Sequence, residues 1–146
     1  MPISTEYLAA FFDAEGNCSL HFVTLKRRKE GCNYCLPRVG VTNKVKEILE
    51  EYHSRYGGGI RKGSGKFVWR WQSHSNKETR IFLEEMLPYL QIKKPHATLL
   101  LEYISRHEGY AKRNPMNERD FKILKELKEL NKRGVQKCLF QQDVEV

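Results

Sequence analysis

Leu8-Ala9-Ala10-Phe11-Phe12-Asp13-Ala14-Glu15-Gly16 decides how the rest of the chain is read. No charge falls between Glu6 and Asp13, so a helix over this stretch is apolar on every side. A surface helix needs only one apolar stripe, and one that is apolar all round must be covered on more than one face. Leu8, Phe11 and Phe12 suit the chain's own core, while Ala9, Ala10 and Ala14 leave room for another backbone. Two acids and a glycine stop end the stretch. This order predicts a helix that carries a carboxylate to a buried or semi-buried place.

Beyond Gly16 the period switches to two. Cys18, Leu20 and Phe22 alternate with Ser19, His21 and Val23, the pattern of a half-buried strand. A basic turn around Arg27, Arg28 and Lys29 leads to a second strand from about Tyr34 to Thr42, with Cys35, Val39 and Val41 in phase. Together they predict an antiparallel hairpin. Asn43 is the expected N-cap of a helix whose stripe is Val45, Ile48, Leu49, Tyr52 and Tyr56, stopped by Gly57-Gly58-Gly59. A second hairpin follows, with Ile60 inward, Arg61 outward, and Phe67, Trp69 and Trp71 alternating with Val68, Arg70 and Gln72. Ser75 to Glu78 has capping-box spacing for a third helix that Pro88 ends. Pro95 suits the first turn of a fourth helix, and Asn117 to Asp120 opens a last one that stops at Gly134. The expected fold is α+β, an αββαββα core with a curved antiparallel sheet and additional C-terminal helices.

With 146 residues, the chain is expected to form a single domain over 1–146, its core at about 5–134 and a tail over 135–146. A formal charge of +8 and a pI near 9.4 point to a polyanionic partner, nucleic acid before membrane. No run is long enough to span a bilayer, and no basic n-region or cleavage site opens the chain, so an intracellular protein is expected. Its four cysteines are then expected to be reduced. Cys32-x-x-Cys35 supplies two ligands where a structural zinc site wants four, and ordinary core or turn cysteines are the simpler reading. The histidines form no metal-ligand spacing, and no GxSxG or P-loop pattern is present.

The stretch 8–16 resembles the signature of the LAGLIDADG homing endonucleases: Leu-Ala first, two bulky apolar residues, then acid-small-acid-Gly. Leu90-Gln91-Ile92-Lys93-Lys94 is similar to a second run of that family, and the resemblance covers roughly residues 5–134. It implies a Mg²⁺-dependent, site-specific DNA endonuclease, with Mn²⁺ substituting and Ca²⁺ supporting binding without cleavage. By the same resemblance Glu15 is the metal-binding acid with help from the Ala14 carbonyl, Lys93 stands near the scissile phosphate, and Asn43 orients water. Glu47 stands where the family often has a basic residue. One signature motif implies a homodimer, with Leu8, Ala9, Ala10, Phe12 and Asp13 at its interface and Asp13 bonding the partner helix. The target is expected to be long, near-palindromic double-stranded DNA cut to leave 3′ overhangs. The setting implied is an intron- or intein-type mobile element in a prokaryote or an organelle.

The outward strand residues are the candidate DNA readers: Ser19, His21, Tyr34, Arg38, Arg61, Arg70 and Gln72, with Arg27, Arg28, Lys29 and Lys66 at the hairpin tips near phosphates. A two-stranded ribbon fits the major groove, where Arg reads guanine and Gln reads adenine. A solvated sheet face would show the same alternation. Two other functions fit the same residues: a non-cleaving protein of this fold, either a maturase for its own intron RNA or a transcription regulator, and a basic structural protein. Lys122, Lys125, Lys128, Lys132 and Arg133 read as a solvated helix face.

Overall fold

Ser4 starts the first helix, α1 (Thr5–Glu15), by accepting the N–H of Tyr7 at 3.1 Å. At the other end the Gly16 N–H returns to the Phe12 carbonyl. A Cβ at Gly16 would lie 2.2 Å from the Phe12 ring, so glycine is what lets the chain pass directly from helix into strand. The computed structural model describes residues 3–24, 33–63, 65, 67–107 and 116–132, with Thr24 and Asn33 as backbone alone. The expected tips Arg27, Arg28, Lys29 and Lys66 lie outside the described residues, as do Cys32, Arg133, the Gly134 stop and the tail.

The strands β1 (Gly16–Thr24), β2 (Asn33–Asn43), β3 (Gly59–Lys62) and β4 (Trp69–Gln72) form one antiparallel sheet in the order β1-β2-β4-β3. Its core-facing phase is Cys18, Leu20, Cys35, Pro37, Val39, Val41 and Trp71, all buried. Strand β2 outruns β4, and side chains take up the backbone groups left over. Tyr103 Oη accepts the Cys35 N–H at 2.9 Å, Ser73 Oγ accepts that of Val39 at 3.1 Å, and the Thr79 hydroxyl donates to the Pro37 carbonyl at 3.1 Å. Phe22 keeps the inward phase but is poorly covered, and Phe67 falls outside β4. Phe22 is 44% exposed at the far end of β1, and Phe67 is 84% exposed in the turn before β4 with φ of 67°.

Helix α2 (Lys46–Tyr56) begins later than expected. Val45 occupies the cap position without a side-chain bond, while Asn43 ends β2 and accepts the Val45 N–H on Oδ1 at 2.8 Å. That Asx turn uses the same chemistry as an N-cap, so sequence alone does not separate the two. The stripe of α2 is Ile48, Leu49, Tyr52 and Tyr56, with Val45 left 54% exposed. Ser75 caps α3 (Asn76–Met86) as expected, accepting the Glu78 N–H. The Glu78 carboxylate reaches past it to the N–H of His74 at 2.8 Å and of Gly58 at 3.0 Å. This ties the end of α2 to the start of α3. A 3₁₀ turn (Leu87–Tyr89) containing Pro88 leads to α4 (Lys94–Arg106), which has Pro95 in its first turn. A complete capping box, Asn117 with Asp120, starts α5 (Glu118–Leu130).

The helices pack on one face of the sheet. The Phe82 ring meets Phe12 and Tyr56 edge-on at 4.9 Å each and Trp71 at 5.3 Å, and Trp71 stacks on Tyr52 at 5.2 Å. Along α5 the buried residues are Asp120, Ile123, Leu124 and Leu127, while Phe121 stays 45% exposed against Phe22. No helix among the described residues is long and apolar enough to cross a membrane.

Candidate active site and nucleic-acid interface

Glu15 is the last residue of α1 and is exposed. Lys93, 78 positions later, occupies the cap position of α4 and is only 6% exposed. Its Nζ donates to the Asp13 carbonyl at 2.8 Å. That carbonyl is one of those a helix leaves unpaired in its last turn, where the dipole also favours a cation. Burial pushes the Lys93 pKa down, against the opposing pull of Cys18, Asp13 and Glu15. Two groups singled out from separate stretches of sequence are therefore brought together at one helix end. Lys94 is exposed and lines a groove between α4 and α5, so the geometry separates two lysines that sequence treats alike.

Behind Lys93 the surroundings are dry. Burial pushes the Cys18 thiol up to about 12, so it stays protonated. His96, 2% exposed and one turn along α4, is held below the usual imidazole range by burial and then by the Lys93 charge. Asn131 Nδ2 donates to the Cys18 carbonyl at 2.9 Å and ties the end of α5 to this wall. Cys35 packs against Met116 at 3.6 Å with its thiol raised by burial to about 11, the setting of a core cysteine. No group of three or more His, Cys, Asp or Glu side chains among the described residues is placed to hold a metal.

The face of the sheet opposite the helices carries the other phase. Register lines up Ser19 with Arg38, His21 with Leu36, and Val23 with Tyr34 on β1 and β2. It also aligns Thr42, Arg70 and Arg61 across β2, β4 and β3. Beside that row, Asn17, Gly40, Gln72 and Gly59 form another. Arg61 Nη2 reaches Gln72 Oε1 at 3.4 Å, and Arg38 is pinned by the Pro37 carbonyl at 2.6 Å and Asn76 Oδ1 at 3.0 Å. Arg38, Arg61, Gln72 and His74 line a cavity of about 430 Å³ on this face. All seven expected strand positions thus share one face.

No family model matches the sequence, and no curated protein matches it. Solved structures do match. The archaeal intron-encoded homing endonuclease I-Vdi141I, complexed with DNA, aligns over 89% of this chain and 85% of its own at 21% identity, with a TM-score of 0.73. The homing endonuclease I-CvuI, complexed with a DNA target in the presence of Mg and the DNA not cleaved, aligns over 86% and 76% at 24% identity and 0.63. I-SmaMI, a LAGLIDADG homing endonuclease bound to cleaved DNA, aligns over 96% of this chain but 48% of its own, at 21% identity and 0.67. The chain has the fold of the LAGLIDADG homing endonucleases.

Within the LAGLIDADG fold, three expected placements change. Leu8, Ala9 and Phe12 are 0% exposed and Asp13 is 8% exposed in a single chain. They belong to the chain's own core, because the sheet and α3 already cover that side of α1. Of the expected interface residues only Ala10 reaches the surface. The open stripe is Tyr7, Ala10, Phe11 and Ala14, spaced i, i+3, i+4, i+7, with Phe11 only partly covered and the Tyr7 and Phe11 rings stacked at 6.5 Å. Asp13 bonds its own chain, accepting N–H groups from Gln91, Ile92 and Lys93, because the start of α4 lies directly beside it. Asn43 falls in the core-facing phase of Val39 and Val41, and its side-chain oxygen is engaged by Val45. The pairing of Gly16 with Val41 instead sets Thr42, exposed on the outer face, beside the end of α1. Thr42 and Asn17 on the outer face, His74 in the cavity lining and Asn76 bonded to Arg38 were not singled out from sequence. Thr42 continues the outward phase to the end of the expected second strand, and Asn17 continues that of the first by one step.

Proposed function

We propose that this protein is a metal-dependent, site-specific endonuclease that acts as a homodimer on double-stranded DNA. The observation that carries the reading is the meeting of an exposed Glu15 and a buried Lys93 at the end of α1, on the edge of a sheet whose open face presents arginines. An exposed acid at a helix C-terminus is unfavourable for the helix itself, and a polyanion held over the sheet would bring its phosphates to that acid. The alignment with nearly all of I-Vdi141I but half of I-SmaMI supports two copies per site. So does the Tyr7, Ala10, Phe11, Ala14 stripe, whose alanines allow close backbone approach.

The donor set fits Mg²⁺, which takes few protein oxygens and keeps waters and phosphate. Glu15 with the Ala14 carbonyl would hold it, and the twofold partner would supply a second carboxylate. When bound, the ion stabilises charge on the phosphate and lowers the pKa of the attacking water. Lys93 sets a fixed positive charge beside the same phosphate, in a setting too dry to screen it. Water adds to phosphorus, the P–O3′ bond breaks, and the products are a 5′-phosphate and a 3′-hydroxyl. Cuts on the two strands across the minor groove would leave 3′ overhangs. Arg38, Arg61, Arg70 and Gln72 would read bases, and Ser19, His21 and Tyr34 would extend that readout along β1 and β2. Thr42, exposed beside the end of α1, would orient water in place of Asn43, to which the resemblance gives that role.

The test is cleavage of a randomised duplex library by wild type and Glu15→Gln, in Mg²⁺ and in Ca²⁺. Discrete double-strand cuts by wild type in Mg²⁺ alone, with Mn²⁺ able to replace it, are expected. Tight specific binding without cuts in any metal would reassign the fold to a non-cleaving role, as a maturase for its intron RNA or a regulator. Salt-sensitive binding without sequence preference would overturn both.

A further inference from the structure

Asp13 is buried in the last turn of α1, where a carboxylate opposes the helix dipole. Helix formation does not account for it. Its Oδ1 accepts the N–H groups of Ile92 at 3.0 Å and Lys93 at 2.7 Å, and its Oδ2 those of Gln91 and Ile92, both at 2.9 Å. Three successive amides of the connector into α4 thus converge on one side chain. The carbonyl of the same residue accepts the Lys93 ammonium. Asp13 therefore holds Lys93 at both ends, main chain by carboxylate and side chain by carbonyl, two residues from Glu15.

We propose that Asp13 is the positioning residue that sets the Lys93 ammonium against Glu15. The proposal rests on the endonuclease reading for its consequence, but the clamp itself does not. Both carboxylate oxygens act only as acceptors, so an asparagine in either flip turns an NH₂ group toward an amide N–H. Asp13→Asn keeps the volume and breaks half of the clamp. A misplacement of about 1 Å at a reacting centre costs roughly 100-fold in rate.

The test uses the full chain as wild type, Asp13→Asn and Asp13→Glu, the last keeping the charge but moving it by one methylene. Single-turnover cleavage of the selected DNA in Mg²⁺, affinity in Ca²⁺, and the pH titration of the Lys93 ¹³Cε resonance are compared. Expected is a cleavage rate roughly 100-fold lower at saturating DNA in both variants, with affinity within about threefold. In Asp13→Asn the Lys93 midpoint falls, because a charge that favours the ammonium is gone, and the pH–rate profile moves with it. Cleavage within about threefold of wild type, or equal loss of binding and cleavage, would overturn the proposal. So would an unmoved Lys93 midpoint. Should Asp13→Asn fail to fold, Asp13→Glu carries the rate comparison alone. If wild type cuts no DNA, the endonuclease reading fails, and the Lys93 titration still decides whether Asp13 holds the lysine.

Discussion

Lys93 is the residue where stability and function pull apart. Its ammonium is buried and donates to the Asp13 carbonyl, and its folded pKa lies below the ordinary lysine value. A lysine so shifted costs the native state its full penalty below the folded pKa. The penalty fades as pH rises through that value toward the unfolded one, so stability climbs with alkalinity there. Lys93→Met removes the buried charge and keeps the chain length. It is expected to change stability at neutral pH by no more than about 1 kcal/mol, while cleavage falls by about 100-fold or more. Thermal melts beside a single-turnover assay check this, and a large fall in melting temperature would make Lys93 structural. Glu15 and Lys93 were legible in sequence because each lies in a run that resembles a family motif, although that run did not separate Lys93 from Lys94. The partner of Asp13 was not, since its donors lie 78 to 80 positions away and no local period reports that distance.

At the scale of elements, periodicity read each helix and strand well in its interior and less well at its ends. Asn43 and Glu78 have the residue types of caps, yet Asn43 closes a turn ahead of the helix and Glu78 takes the N–H groups of His74 and Gly58 outside the cap pattern. The choice is made by tertiary neighbours. Asp120 shows what such an end is worth. It closes the α5 capping box and accepts Arg106 Nε at 3.2 Å, with His107 Nε2 at 3.0 Å. Burial alone would raise its pKa, but the Asn117 N–H with Arg106 and His107 outweigh it and the net shift is downward. Its contribution is therefore fully present above the ordinary carboxylate value of 3.8 and lost as pH falls through the lower folded value. Asp120→Ala is expected to cost about 3 kcal/mol in urea unfolding at pH 7, with the deficit shrinking below about pH 4. A deficit that persists unchanged in acid would assign the loss to packing. Gly58 makes the parallel case at the end of α2. It has φ of 74°, and a Cβ would stand 2.3 Å from the Gln72 carbonyl oxygen. Gly58→Ala is expected to cost about 2 kcal/mol or more by the same measurement.

At the scale of the whole molecule, one chain holds half of what the proposed chemistry needs. Among the described residues it presents one exposed carboxylate, Glu15, at the end of α1, and a helix with one face still open. Of the residues expected on that open face, Ala10 and Ala14 are exposed, while Leu8, Ala9, Phe12 and Asp13 are buried. Composition shows that α1 is apolar on all sides, while only the packed sheet shows which sides it takes. Leu8, Ala9 and Phe12 go inward and the Tyr7, Ala10, Phe11, Ala14 stripe remains. Ala10→Arg tests the consequence. The position is exposed in a single chain, so its own fold should change by less than about 0.5 kcal/mol. Two arginines brought together across a twofold axis, where small residues let backbones approach, would both clash and repel. Light scattering is expected to give the mass of two chains for wild type and of one for Ala10→Arg, with double-strand cleavage lost and the melting curve of the monomer preserved. A variant that stays dimeric and active would move the interface away from α1. It would also remove the reason for placing two Glu15 carboxylates in one site.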